Sequence, residues 1–236
     1  TTKTIKTMST FTPKPVEFKF GEYINKGFEL FKKDMGTFIL AFIFVGILSI
    51  IPFFIFLAFG NFIKIARKIN YGQQTSATEI FNFDDIGVHF KLFLIILAAI
   101  ALIEIPVILF IPKFDQSNET PTYFSILFPV FFFGIFIAIY YFLLKAYYVV
   151  ALISLENVKS IKEAWNISKE MTKGNLLMLF LFAMVTSFIG QIGIIACGIG
   201  LIISAPLTYV LQYVSYEDGI QQIKVDELEE IGKISE

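Results

Sequence analysis

From Leu176 to Tyr216 the chain carries no charged side chain. An unbroken helix over that stretch would be about 60 Å long at ~1.5 Å per residue, twice a ~30 Å hydrocarbon core. Gly190, Gly193, Gly198 and Gly200 interrupt it, which predicts a hairpin of two membrane segments. Three more apolar runs precede it: Gly36 to Gly60, Phe93 to Ile111 and Tyr123 to Leu155. Hydrophobic residues make up 56% of the 236 residues and charged ones 17%, with a mean hydropathy of +0.72. Soluble domains average about 45–50% apolar and about 25% charged. A soluble chain of this length would expose large apolar patches, so the composition excludes an ordinary soluble enzyme.

The first run continues as an amphipathic tail to Ile69, with Pro52 near its middle. Lys32 and Lys33 precede it, and Lys64, Arg67 and Lys68 end it. A single kinked span would put these basic clusters on opposite sides of the membrane. A hairpin of about 36–50 and 52–69 keeps both cytoplasmic, as the positive-inside rule favours. The sequence thus predicts an all-α membrane protein of about six transmembrane segments as three hairpins, with both termini cytoplasmic. Of the 19 Lys and Arg, only Lys113 falls outside and only Lys145 falls within the membrane. Residues 1–17 read as a polar N-terminal segment without a cleavable signal peptide. Residues 18–218 read as one polytopic domain, and 219–236 as an acidic cytoplasmic tail.

Two cytoplasmic interfacial helices are predicted. In residues 18–33, Phe20, Ile24, Phe28 and Phe31 recur at helical spacing opposite Glu22, Lys26, Glu29 and Lys33. Ser160 and Glu163 form a capping box before a helix of about 161–173, and Gly174 stands where a C′ glycine belongs. Its predicted apolar face is Ile161, Ala164, Trp165, Ser168 and Met171. Lys32, Lys33, Lys64, Arg67, Lys68 and Lys173 are candidate contacts to lipid headgroups. A second Ser-x-x-Glu, Ser76 and Glu79, opens a short helix in the loop 70–90. Asp84 and Asp85 come next; such a pair caps the next helix or holds Mg²⁺ with a substrate phosphate.

Glu104 and Lys145 are the only charges deep in predicted spans. A charge at mid-bilayer costs ~2.5–3.5 kcal/mol on insertion scales, so each needs a partner, water or an escape route. With Tyr141, Tyr148 and Gln212 they are the candidate intramembrane polar site. The other readings are snorkelling of Lys145 and plain interhelical hydrogen bonding. Gly190, Gly193, Ala196 and Gly200 favour close helix approach. Asn118, Glu119 and Thr120 form a glycosylation sequon on the predicted outside.

One His (His89) and one Cys (Cys197) allow no zinc cluster, Cys–His dyad or disulfide framework. No G-x-S-x-G elbow or Gly-rich phosphate loop occurs. No cofactor or metal is expected.

The stretch FGEYINKGFELFKKDMGTFIL, with IARKINYGQQTSATEIF, SIKEAWNISKEMTKGNLLMLF and GIGLIISAPLTYVLQYVSYED, resembles a group of bacterial integral-membrane proteins of uncharacterised activity. That group is related to the membrane domain of glycerophosphodiester phosphodiesterases. The resemblance implies a helical bundle of about six spans in the bacterial inner membrane, and no known activity. In the fused phosphodiesterases the catalytic domain is a separate soluble module.

The sequence therefore predicts a non-catalytic integral membrane protein, an accessory or scaffold subunit or a membrane-homeostasis factor. Its predicted partners are membrane lipids and other membrane-protein subunits or a second copy, and not nucleic acid. The alternative is a small transporter or lipid-handling protein working through Glu104 and Lys145.

Overall fold

A computed structural model describes residues 14–110, 122–196 and 199–224. The sequon at Asn118, Lys113, Cys197, Gly198 and the tail beyond Lys224 lie outside these residues, as does the side chain of Ala196. The described residues form nine α-helices and no strand. They are α1 (Phe20–Lys33), α2 (Met35–Leu48), α3 (Ile55–Asn70), α4 (Ile86–Phe110), α5 (Thr122–Lys145), α6 (Val149–Leu155), α7 (Ile161–Met171), α8 (Leu176–Gln191) and α9 (Ile199–Ile223).

Three stretches are long and apolar enough to cross a membrane: Ile86–Ile105, Pro129–Leu155 and Leu176–Ile194. Only 11% of the first is buried within the chain, and 28% of each of the other two, so most of their surface awaits lipid or protein. α2 is apolar but has 14 residues, about 21 Å at ~1.5 Å per residue.

The break between α2 and α3 falls where Pro52 predicts it. Proline lacks an N–H and suits a first helical turn, and Pro52 opens a 3₁₀ turn over Pro52–Phe54. This tip meets the start of α4, with Phe53 5.6 Å from Phe90 and 6.4 Å from Phe93 between ring centroids. Most of α4 extends past it. The segment after α3 then doubles back along α2 and α3. Asn61, buried, fastens it by donating to the carbonyls of Ile80 at 2.9 Å and Asn82 at 2.7 Å. Asn61→Leu leaves the buried Ile80 carbonyl without its donor and is expected to cost about 1–3 kcal/mol. Limited proteolysis should then cut within 71–85 at protease levels that spare the wild type.

α8 and α9 run antiparallel. A Cβ on Gly193 would lie 2.0 Å from the backbone of Gly200, and one on Gly190 would lie 2.3 Å from Thr208 Oγ1. Ser204 donates to the Gly190 carbonyl at 2.6 Å, and Thr208 to that of Thr186 at 3.0 Å. The small residues thus permit the close approach expected of them.

The break between α5 and α6 is bridged by Ser168 of α7. Its hydroxyl donates to the Lys145 carbonyl at 2.7 Å and accepts from the Tyr148 N–H at 3.2 Å. Backbone groups freed at the helix ends are thereby satisfied. Ser160 caps α7, its Oγ accepting from the Glu163 N–H at 3.4 Å. α7 stops at Met171 with its C-cap at Thr172, two residues earlier than predicted, so Gly174 (φ +81°) follows the C′ position and turns the chain toward α8.

The buried core lies at the polar end of the bundle. It centres on Tyr23, Phe38, Phe62, Leu152, Tyr213 and Tyr216, from α1, α2, α3, α6 and α9. The stripe predicted for α1 is displaced. α1 packs on α9 and buries Tyr23, Gly27, Leu30 and Phe31, while Phe28 is exposed. Gly27 seats against Leu211, whose Cδ2 would be 2.3 Å from an added Cβ. On α7 the buried set is Ala164, Ile167, Ser168 and Met171, with Trp165 stacked on Phe142 at 6.1 Å. α9 runs through the boundary drawn at 218/219 to Ile223. Its end is tied to the segment before α1, where the Glu17 N–H donates to Gln222 Oε1 at 2.7 Å.

Candidate functional site

Among the described residues Glu104 stands apart from the other predicted intramembrane site residues. Glu104 is exposed on α4, which packs on α3 and the Pro52–Phe54 turn, whereas α5 packs on α7 and α8. No ion pair joins Glu104 to Lys145 among the described residues. Lys145 Nζ lies 5.8 Å from the Tyr141 ring and interacts electrostatically with Glu170, Lys169 and Lys173 around α7. It therefore sits at the level of the polar end. Gln212 donates to the Tyr147 carbonyl at 3.1 Å, and Tyr148 OH donates to Ser215 Oγ at 3.5 Å. These groups form a hydrogen-bonded seam between α9 and the α5–α6 break.

The candidate headgroup cations divide. Lys32 is exposed; Lys33 is exposed and reaches the Asn70 carbonyl at 3.5 Å. Lys173 pairs with Glu170 at 3.2 Å on the surface. Lys64, Arg67 and Lys68 converge, because positions 64, 67 and 68 share one face of α3. They line a cleft of about 520 Å³ with Asn61, Tyr71, Glu79, Asn82 and Ser154, within the usual size of ligand sites.

Arg67 is the hub beneath this cleft. Its Nε donates to Glu217 at 3.0 Å and its Nη2 to Glu156 at 2.7 Å, while Nη1 reaches the Leu155 carbonyl at 3.2 Å. The planar fork of a guanidinium suits three directions at once. Lys224 adds a second cation to Glu156 at 3.3 Å. Tyr71 OH donates to Glu217 at 2.8 Å. That hydrogen bond, then burial and the carboxylate charge, hold the Tyr71 phenol above its usual range. Nearer the mouth, Lys68 pairs with Glu79 at 2.7 Å, and Lys64 pairs with Asp85. Burial pushes the Glu79 carboxyl up, but the hydrogen bond and charge of Lys68 hold it below the usual carboxylate range.

The paired aspartates are otherwise engaged. Asp85 takes Lys64, and its carbonyl accepts from the N–H groups of Val88 and His89. Asp84 accepts from Asn82 Nδ2 at 2.9 Å. No three His, Cys, Asp or Glu side chains come together as metal ligands among the described residues.

The structure also brings together a Ser–His pair that sequence reasoning missed. His89 Nδ1 lies 2.9 Å from the Asp85 carbonyl, so it carries the proton, and Nε2 accepts from Ser154 Oγ at 3.1 Å. Both residues are buried. They are 65 residues apart in the chain, and neither stands in a motif. The one signal is Gly60: a Cβ there would lie 2.1 Å from Ser154 Oγ and 3.0 Å from His89 Nε2. The neighbouring donors are engaged elsewhere, Asn61 on two carbonyls and Arg67 on two carboxylates and a carbonyl. The pair thus joins α4 to α6 across α3.

Comparison of the chain with protein-family models, curated proteins and solved structures finds no match.

Proposed function

We propose that this chain is a multi-pass membrane protein acting without catalysis of its own, as an accessory or scaffold subunit in membrane homeostasis. The observation that carries the reading is a contrast between its two parts. The polar end is internally satisfied, each cleft cation already holding a carboxylate. The membrane-length helices leave most of their apolar surface uncovered. Such a molecule offers a rigid head and long faces for lipid or neighbouring subunits. In this reading about six segments enter the membrane as three hairpins, and the basic polar end with both termini faces the cytoplasm. Residence in a bacterial inner membrane rests on the resemblance carried by FGEYINKGFELFKKDMGTFIL. A transport reading centred on Glu104 and Lys145 gains no support from their separate placement.

Purification of a tagged copy from its native membrane in mild detergent, with mass spectrometry of the product, tests the proposal. A stoichiometric membrane-protein partner, lost when the exposed face of α7 is changed, is the expected result. A protein that stays monomeric and alone in every mild detergent, yet turns over a lipid or moves a solute after reconstitution, would sink it.

A further inference from the structure

The cleft between α3 and the segment 77–85 has walls of opposite charge. α3 supplies Lys64 and Lys68, one helical turn apart and partly exposed. Facing them are Glu79, from the 3₁₀ turn Ala77–Phe81, and Asp85, just before α4. The Lys68–Glu79 pair spans the cleft, and Lys64 pairs with Asp85 beside it. Lys68 and Glu79 are the more open pair, 39% and 34% exposed, against 28% and 20% for Lys64 and Asp85. An open pair can exchange partners at little cost, because it is solvated already.

This arrangement selects among ligands. An anion reaching the lysines displaces carboxylates that then have no cation, and it meets like charge across the cleft. A simple cation has the converse difficulty. A molecule carrying a phosphate and an ammonium a few bonds apart gives each wall a new partner. The level of the cleft fits a lipid. α4 becomes a membrane-length apolar helix directly after Asp85, so the cleft lies where headgroups lie. Phe81 and Phe83 are exposed on the segment that carries Glu79, ready to meet the start of an acyl chain.

We infer that this cleft binds a phosphate–ammonium zwitterion, the headgroup chemistry of phosphatidylethanolamine, with phosphate on Lys64 and Lys68 and ammonium on Glu79. The inference is independent of the scaffold reading: a scaffold without this site and a lipid binder without a partner are separate outcomes.

The test is native mass spectrometry of the delipidated full chain offered equimolar phosphatidylethanolamine and phosphatidylglycerol. Ethanolamine adducts are expected to exceed glycerol adducts by about tenfold, the ratio set by one differential ionic contact. Free phosphoethanolamine is the second arm. Competition only at large excess identifies a membrane lipid, and competition at equal concentration identifies a soluble zwitterion. The double change Lys68→Glu with Glu79→Lys keeps the ion pair but puts a carboxylate beside Lys64 in the phosphate site, and should abolish the preference at an unchanged melting temperature. Equal binding of both lipids by the wild type overturns the proposal. So does a preference that survives the charge swap in a folded protein. If the swapped pair does not fold, the wild-type competition decides alone.

Discussion

Arg67→Met is expected to destabilise the protein more than any other single change at its polar end. Glu156 and Glu217 have side chains only 7% and 11% exposed, and both face the Arg67 fork. Removing the guanidinium leaves two buried carboxylates close together, with Lys224 reaching only Glu156. Breaking a buried pair from one side costs about 3–5 kcal/mol, because the remaining charge is uncompensated. Thermal unfolding in detergent should show a fall of many degrees. Arg67→Lys should recover little, since one ammonium cannot serve two carboxylates and the Leu155 carbonyl together. Arg67→Met combined with Glu156→Gln and Glu217→Gln should recover much of the loss. If Arg67→Met melts with the wild type, the network is not what joins α3 to α6 and α9.

Gly60→Ala is the second large expectation. A methyl at this position overlaps Ser154 Oγ at 2.1 Å and crowds His89 Nε2 at 3.0 Å. The overlap is relieved by turning the Ser154 hydroxyl off His89 or by parting α3 from α4 or α6. Overpacking of this kind costs typically about 1–3 kcal/mol, and the gain in helix propensity from Gly to Ala, about 1 kcal/mol, offsets part of it. The double change with Ser154→Ala removes the 2.1 Å overlap and leaves a Cβ near 3.2 Å. A double-mutant cycle should therefore show favourable coupling between the two changes. Purely additive losses would mean that the Ser154–His89 junction does not limit the approach of these helices.

Both expectations concern contacts that no local pattern announces. Arg67 is legible in the sequence as a basic residue ending an apolar run, and the headgroup reading rests on that alone. Its carboxylate partners come from the C-cap of α6 and from α9, and Glu217 reads as a residue bordering an acidic cytoplasmic tail. A tail and a helix end look alike when the residues that would bury them are 150 positions away. The two helices read as interfacial are legible as helices, because caps and 3.6-residue spacing are local. The faces they bury are not. α1 uses Gly27 and Tyr23 against α9 in place of Phe28, since fit against Leu211 and Asp218 outweighs hydrophobicity alone.

Glu104 and Lys145 illustrate the converse. Each is costly in a bilayer, and pairing them is the economical reading when only their depths are known. α4 and α5 take different neighbours, and Lys145 turns toward the polar residues of α7.

A helical chain, apolar stretches of membrane length, the break at Pro52, the cap at Ser160 and the left-handed turn at Gly174 are all written in the sequence. They depend on burial of apolar surface and on backbone groups within a few residues of one another, so solvent and near neighbours suffice to set them. Which charges share a cleft, which glycines seat another helix and where walls of opposite sign face each other are written nowhere locally. Those are pairings across distant parts of the chain, set by the simultaneous packing of α3, α6 and α9.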